Sequence, residues 1–364
     1  MKLKEMLKDG KLPLSKDMLV EEFKLLGLKK RDKVMVHSSL SSFGYVIDGA
    51  RAIIDAIIEV VGEEGLVLMP GHSSWNSDPL GWTNPPMPEE WIEHISNSIL
   101  PYDPKKSAID FVGAVPIAFS KYESVIRTDH PTVSFLIYGN YEGWEYQPLN
   151  YPLGTESQLM KLFEQGGKVL MLGTDYSNVT ALHLSEYLSE KIKEEEDRSK
   201  IIIDGNPEWV SIVEKEAQCE FFNLIGDIYE EDSVYGERII GYSKCKLVDV
   251  KELVTIGKVF FDHNKLEVET VKTSEVLLTS ACLDKETFEG VTNTPDKYRG
   301  VYGFKYNGKY YIEKGLEYLY YHHKKGIKKF DLFLIDYEDE YKEQLANKNI
   351  ELMKDGLTVV SDLK

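Results

Sequence analysis

Apolar residues recur at helical spacing in LVEEFKLLGL, and the pattern predicts a helix ended by Gly27. KVMVHSS follows as a continuous apolar run and reads as a short buried strand. The small-residue segment SSLSSFGYVIDG predicts a loop, ARAIIDAIIEVVG a strong helix closed by Gly62, and GLVLMPG a second strand. Strand, loop, helix and strand in that order form a βαβ unit, which predicts a sheet with helices packed on its faces. FVGAVPIAF, VSFLIYG and GKVLMLG supply further buried strands or helix starts, and TALHLSEYLSEKIKEEEDRSK predicts one helix that runs out into charge.

Two stretches break this rhythm. Residues 72–104 are irregular and rich in Pro, Trp, Asn and Ser. Connections this long are usually lids or disordered segments, and Trp75, Trp82 and Trp91 favour a lid. Past about residue 265 the chain becomes tyrosine-rich, and Asn307-Gly308 between alternating residues predicts a type I′ hairpin. The expected organisation is a main domain over 1–265 and an appended α+β unit over 266–364.

Composition narrows the classes of function. At 364 residues the chain is long enough for about two domains and a full core. A net charge of -18 argues against nucleic acid as the main partner, because a phosphate backbone needs a basic face. The same charge would attract polycationic small molecules. Cys219, Cys245 and Cys282 are an odd number without CxxC spacing, so neither a disulfide framework nor a zinc ribbon is expected. No apolar run approaches the roughly 20 residues of a membrane span, and the start MKLKEMLKDGKLPLS lacks the apolar core of a signal peptide. The expectation is a cytoplasmic protein without a membrane partner.

NVTALHLSEYL places Thr180, His183 and Glu186 three residues apart, so that on a helix they are surface neighbours. That spacing fits a general base with an orienting carboxylate, a metal site, or a solvated edge. A zinc hydrolase of the HExxH type needs a second histidine at i+4, and none is there. His37 ends an apolar strand, where open α/β sheets bind ligands, and can equally be a half-buried structural histidine. HSSLSSFG, running into a helix, is a natural anion site but also an ordinary turn. Neither a P-loop nor GxGxxG occurs. Arg127 suits a phosphate. His130 before proline suits a structural hydrogen bond, His72 and His94 have no partner at a telling distance, and His322-His323 would point to opposite faces of a strand.

Taken in order, VHSSLSSFGYVIDGARAIIDAI, GLVLMP, YDPKKSAIDFVGAV, IRTDHPTVSFLIYG, LGTESQLMKLFEQGGKVLMLG and VTALHLSEY resemble the aminoglycoside 3-N-acetyltransferase family over roughly residues 15–265. The resemblance implies a layered α/β/α sandwich and acetyl transfer from acetyl-CoA to an amine of an aminoglycoside, without a metal. It implies His183 as general base, Glu186 as its partner and Thr180 beside them. It places His37, Ser38, Ser39, Leu40, Ser41, Ser42, Phe43 and Gly44 along the pantetheine arm and thioester, His37 also being counted with the catalytic set, and Arg127 at a CoA phosphate. Asp103, Trp75 and Glu186 are the expected acceptor contacts, and a homodimer is left open. Ala108, where the family usually carries Pro, Val179, where it often carries Asn, and the thinned acidic run EKEAQCEFF leave the acceptor more open than the reaction. The alternatives are the same chemistry on a non-antibiotic amino sugar or metabolite amine, a hydrolase built on His183 and Glu186, or a CoA-binding protein without turnover.

Overall fold

The structure, a computed structural model, describes residues 8–10, 12–82, 85–264, 267–293 and 300–363. It divides into two compact units, one ending at Val259 and the other beginning at Phe260. In the first, helix α1 (Lys16–Leu26) starts where Ser15 Oγ accepts the Met18 N–H and stops at Gly27, whose φ of 111° is a left-handed cap. Strand β1 (Lys33–Ser38), a 3-10 turn at Leu40–Ser42, helix α2 (Ala50–Val61) and strand β2 (Leu66–Pro70) form the βαβ unit, with β1 and β2 parallel.

The chain continues through helices α3 (Glu89–Ser98) and α4 (Ala114–Phe119) and strands β3 (Ile126–Arg127) and β4 (Phe135–Gly139). Next in the chain are helix α5 (Gln158–Glu164), strand β5 (Lys168–Leu172), helix α6 (His183–Leu188) and strands β6 (Glu194–Ile203) and β7 (Asn206–Lys215). Helix α7 (Phe222–Asp232), strands β8 (Gly236–Ile240) and β9 (Ser243–Asp249) and helix α8 (Val250–His263) come last. Seven strands make one sheet in the order β3-β4-β2-β1-β5-β9-β8. Only β2, β1 and β5 are parallel; the flanking strands run antiparallel to their neighbours.

Both faces of the central strands are buried, which is why they read as unbroken apolar runs. Val34, Val36, Val67, Met69, Leu170 and Leu172 share one core with Phe23 of α1, Ile53, Ile57 and Val61 of α2 and Phe119 of α4. Met35, Leu68, Val169 and Met171, of opposite parity, are equally buried. Truncating one such residue, Ile57→Ala for example, removes about 2–5 kcal/mol. This is the layered α/β/α arrangement.

The segment expected as one long helix after Thr180 is instead three elements. Thr180–Leu182 is a 3-10 turn, α6 ends at Leu188, and residues 194–203 pair antiparallel with 206–215. The physical reason is the turn between the strands: Asp204 and Gly205 have φ of 50° and 83°, the pair of positive values a type I′ hairpin requires. The irregular segment after β2 is pinned to this hairpin's edge. Lys200 N–H donates to Asn76 O, Asp78 N–H to Arg198 O and Tyr102 N–H to Lys200 O.

The second unit is a five-stranded mixed sheet of β10 (Glu267–Lys272), β11 (Val276–Leu277), β12 (Val301–Tyr306), β13 (Lys309–Lys314) and β14 (Lys329–Leu334). Their order is β10-β14-β12-β13-β11. Helices α9 (Lys285–Asn293), α10 (Leu316–Lys324) and α11 (Asp339–Lys354) complete an α+β unit with its own apolar cluster, including Val271, Val301, Ile312, Leu319 and Leu332. Asn307 and Gly308, with φ of 49° and 74°, make the expected hairpin between β12 and β13. His322 and His323 lie on α10, not on a strand.

Candidate active site

The parallel strands end together, and each runs out into polar residues: Ser38 on β1, His72 and Ser73 beyond β2, Thr174 beyond β5. Among the described residues, Ser38 Oγ, His72 Nε2, Ser73 Oγ, Thr174 Oγ1 and Asp110 Oδ1 are buried atoms without a hydrogen-bond partner. Asp110 joins this group through its backbone N–H, which donates to His72 O at 3.1 Å. A buried polar group left unpaired costs about 1–3 kcal/mol. A concentration of them at the carboxyl ends of parallel strands marks the place where a ligand's polar groups fit.

His183 opens α6. Its Nδ1 is 2.7 Å from Glu186 Oε2, the contact that i,i+3 spacing on one turn allows. Glu186 is fully buried, and its other oxygen accepts the Gln218 N–H at 2.7 Å. The ring packs edge-on against Phe222 at 5.0 Å and keeps 18 % of its side chain exposed. Burial by itself lowers the basicity of His183, but the Glu186 carboxylate outweighs it, with the Cys219 contact adding, and the pKa lies well above the usual histidine value. Nε2 faces Cys219 Sγ at 3.7 Å. With both carboxylate oxygens engaged and the side chain fully buried, Glu186 is not exposed for the acceptor contact expected of it.

His37 is buried, and its Nε2 accepts the Thr180 N–H at 3.3 Å. Burial, then the fields of His72 and His183, lower its pKa to about 3. An imidazole so weakly basic cannot take a proton from an ammonium, so His37 positions the Thr180 turn through that N–H.

The 38–44 loop is divided. Ser38 Oγ is unpartnered, and Ser39 and Ser41 hydroxyls are 3.5 Å apart. Leu40 packs on the core, Phe43 is fully buried, and Gly44 turns the chain at φ 93°. Ser42 Oγ is held by Ser39 O and Ser243 Oγ, both at 2.7 Å. Gly173 beside it has no room for a Cβ, which would lie 1.9 Å from Ser42 Oγ. Ser42, Leu40 and Phe43 are therefore structural.

Arg127 gives Nε to Ser134 Oγ, Nη1 to Ser107 O and Nη2 to Gly71 O, at 2.6–2.9 Å. It braces three segments, and this geometry replaces the expected phosphate contact. Asp103 turns its carboxylate to the Lys105 N–H and to Lys106 Nζ in its own turn. Trp75 stands exposed with its ring edge-on to Trp82 at 6.1 Å. His130 is buried, its Nδ1 accepting the Val133 N–H and its Nε2 meeting Leu149 O, the structural part its sequence suggested.

Two features escaped the sequence. His72 is half-buried with its Nε2 enclosed: desolvation and the fields of His183 and His130 lower its pKa to about 4. The second is an acidic wall on the hairpin. Strand alternation puts Glu195 and Asp197 on one face of β6, and Glu214 of β7 pairs directly opposite Glu195. Like charges so placed destabilise a ladder. Burial first, then Asp197 and Glu195, push Glu214 up to about 7, while His183 pulls it down. Glu195 and Asp197 are raised too, burial again leading. The dipeptide Asp204-Gly205 between apolar runs was the available signal for this hairpin.

A sequence profile of the aminoglycoside 3-N-acetyltransferase family matches residues 35–262. The chain belongs to this family. The SPbeta prophage-derived aminoglycoside N(3')-acetyltransferase-like protein YokD of Bacillus subtilis is 36% identical over 265 residues, covering 72% of this chain and 97% of that protein. The crystal structure of YokD superposes with a TM-score of 0.69 over 72% of this chain and 98% of its own. The solved structure described as AAC-IIIb binary with CoASH is 27% identical, with a TM-score of 0.62 over 69% of this chain and 97% of that one. As a member of the aminoglycoside 3-N-acetyltransferase family, the chain is an acyltransferase. Among the described residues no group of three His, Cys, Asp or Glu is placed to hold a metal, and no helix is long and apolar enough to cross a membrane.

Proposed function

We propose that this chain acetylates an amine of an aminoglycoside, with acetyl-CoA as donor and His183 as general base. The observation that carries the reading is the 2.7 Å contact between buried Glu186 and His183 Nδ1, which leaves Nε2 as the ring nitrogen for proton transfer. Acetyl-CoA supplies a thioester carbonyl as the electrophile. Its polar groups fit the partnerless Ser38, His72, Ser73 and Thr174 at the strand ends.

The acceptor amine arrives as an ammonium and attacks only after losing a proton. His183 takes that proton, a step worth about 10²–10⁴-fold, and the amine then attacks the thioester directly. The Glu186 carboxylate raises the basicity of the imidazole toward that of the amine, which improves the match between them. Glu195, Asp197 and Glu214 hold the acceptor's other ammonium groups. Carboxyls crowded enough to keep Glu214 partly protonated near neutral pH gain most from a polycation between them.

The test is thiol release from acetyl-CoA over a panel of amines. Release with an aminoglycoside and not without it supports the reading. Release only with another amine changes the acceptor, release without any amine indicates a hydrolase, and no release refutes transfer.

A further inference from the structure

Cys219 begins the 3-10 turn that leads into α7, and its Sγ lies 3.7 Å from His183 Nε2. One buried carboxylate fixes both partners. Glu186 holds His183 Nδ1 through Oε2 and, through Oε1, the N–H of Gln218, the residue before the cysteine. Thiol, imidazole and carboxylate in this order are the arrangement in which a base activates a sulfur nucleophile. Cys219 is half-buried. The field of His183 acts on His72, whose buried Nε2 has no hydrogen-bond partner.

The other two cysteines supply a contrast within the same molecule. Cys245 is buried on β9, its sulfur against Ser243, and burial pushes its thiol up to about 11. Cys282 is exposed, and none of its described hydrogen bonds joins the sulfur to an imidazole.

We propose that Cys219 is a modification site, a base-coupled thiol that undergoes exchange with low-molecular-weight disulfides, and that the adduct stops acetyl transfer by covering His183 Nε2. The second clause rests on the function proposed above; the first does not. In the exchange the Cys219 proton passes to His183 Nε2 as the sulfur attacks one sulfur of the disulfide. A new S–S bond forms, the old one breaks, and the departing thiolate recovers the proton from the imidazolium. Cys219 is oxidised to a mixed disulfide and half of the reagent is reduced to a thiol. A reducing thiol reverses the step.

Full-length protein treated with hydroxyethyl disulfide from neutral into alkaline pH, where the raised His183 pKa frees Nε2 to accept the proton, then digested and weighed peptide by peptide, gives the rate at each cysteine. Cys219 is expected to react about tenfold or more faster than Cys282 despite its lesser exposure, because the base assists only Cys219. His183→Gln should bring Cys219 to the Cys282 rate or below. Amine acetylation should fall in proportion to Cys219 occupancy and return with dithiothreitol. Faster reaction at Cys282 in the unaltered protein overturns the proposal whether or not the variant folds. Full occupancy of Cys219 with turnover intact overturns the blocking clause. If the protein acetylates no amine, the functional reading fails, and the two labelling rates still decide whether Cys219 is base-coupled. Coenzyme A disulfide in a parallel reaction, faster than the neutral reagent, would support entry of CoA at this site; a slower reaction would count against that entry alone.

Discussion

On the strand-end side of the site, buried His37 and half-buried His72 are held neutral, with pKa values pushed down to about 3 and about 4, desolvation being the chief cause in both. On the α6 side, His183 is half-buried and also desolvated, yet its pKa is raised because Glu186 lies against it, and three further carboxyls stand on the β6–β7 hairpin. The same side chain thus has opposite proton affinity on the two sides of one site. A neutral side suits an uncharged thioester, which needs hydrogen bonds and no ion. A carboxylate-rich side suits an ammonium that must be held, then deprotonated. What separates the roles is the neighbour each imidazole is given, since desolvation is common to both.

The largest effect that would break this contrast is on the base. His183→Ala should lower turnover by about 10²–10⁴-fold while acetyl-CoA affinity, measured by calorimetry, stays near that of the unaltered chain. Near-normal turnover would move the base elsewhere. Glu186→Gln should lower turnover by a similar or smaller factor, and the pH profile gives the sign. A base works when unprotonated, so a raised His183 pKa makes turnover climb with pH into the alkaline range; removing the carboxylate lowers that pKa and should move the limb to lower pH.

The acidic wall should act on binding. Glu195→Gln and Glu214→Gln should each raise KM for a polycationic amine about tenfold, the worth of one charged hydrogen bond, with kcat and KM for acetyl-CoA nearly unchanged. Because Glu214 titrates near about 7, KM for the amine should also rise as pH falls below neutrality, and that rise should flatten in Glu214→Gln.

Smaller effects come from the neutral side. His37→Ala strands the buried Thr180 N–H and should cost about 1–3 kcal/mol in urea unfolding. His37, His72 and His130 all have depressed folded pKa values, so the unfolded chain takes up their protons first. Stability should therefore fall as pH drops from about 6.5, the unfolded histidine value, toward about 3–4. Thr180→Ala should change turnover least, since the backbone N–H that meets His37 survives the substitution.

Local order in the sequence determined the elements whose contacts are local. Gly27 and Gly62 ended the helices they were expected to end, and the apolar runs at 33–38 and 66–70 became parallel strands. Asn307-Gly308 turned its hairpin, and His183 met Glu186 because three residues on a helical turn are adjacent whatever surrounds them. Tertiary structure decided what lies far apart in the chain. Residues 194–203 carry charge at a spacing that also fits a helix, and pairing with 206–215 through the Asp204-Gly205 turn outweighed that propensity. That pairing made an acidic wall which no linear pattern displayed. Cys219 reached His183 from 36 residues away, and His72, set in a polar segment of the sequence, had its Nε2 enclosed at a strand end. Arg127 found three oxygen acceptors from Gly71, Ser107 and Ser134, so the phosphate geometry its side chain offers was absorbed by the scaffold. Side-chain chemistry and helical spacing are properties of neighbours in sequence; burial, charge crowding and orphaned polar atoms are properties of neighbours in space, and these set the proton affinities of the site.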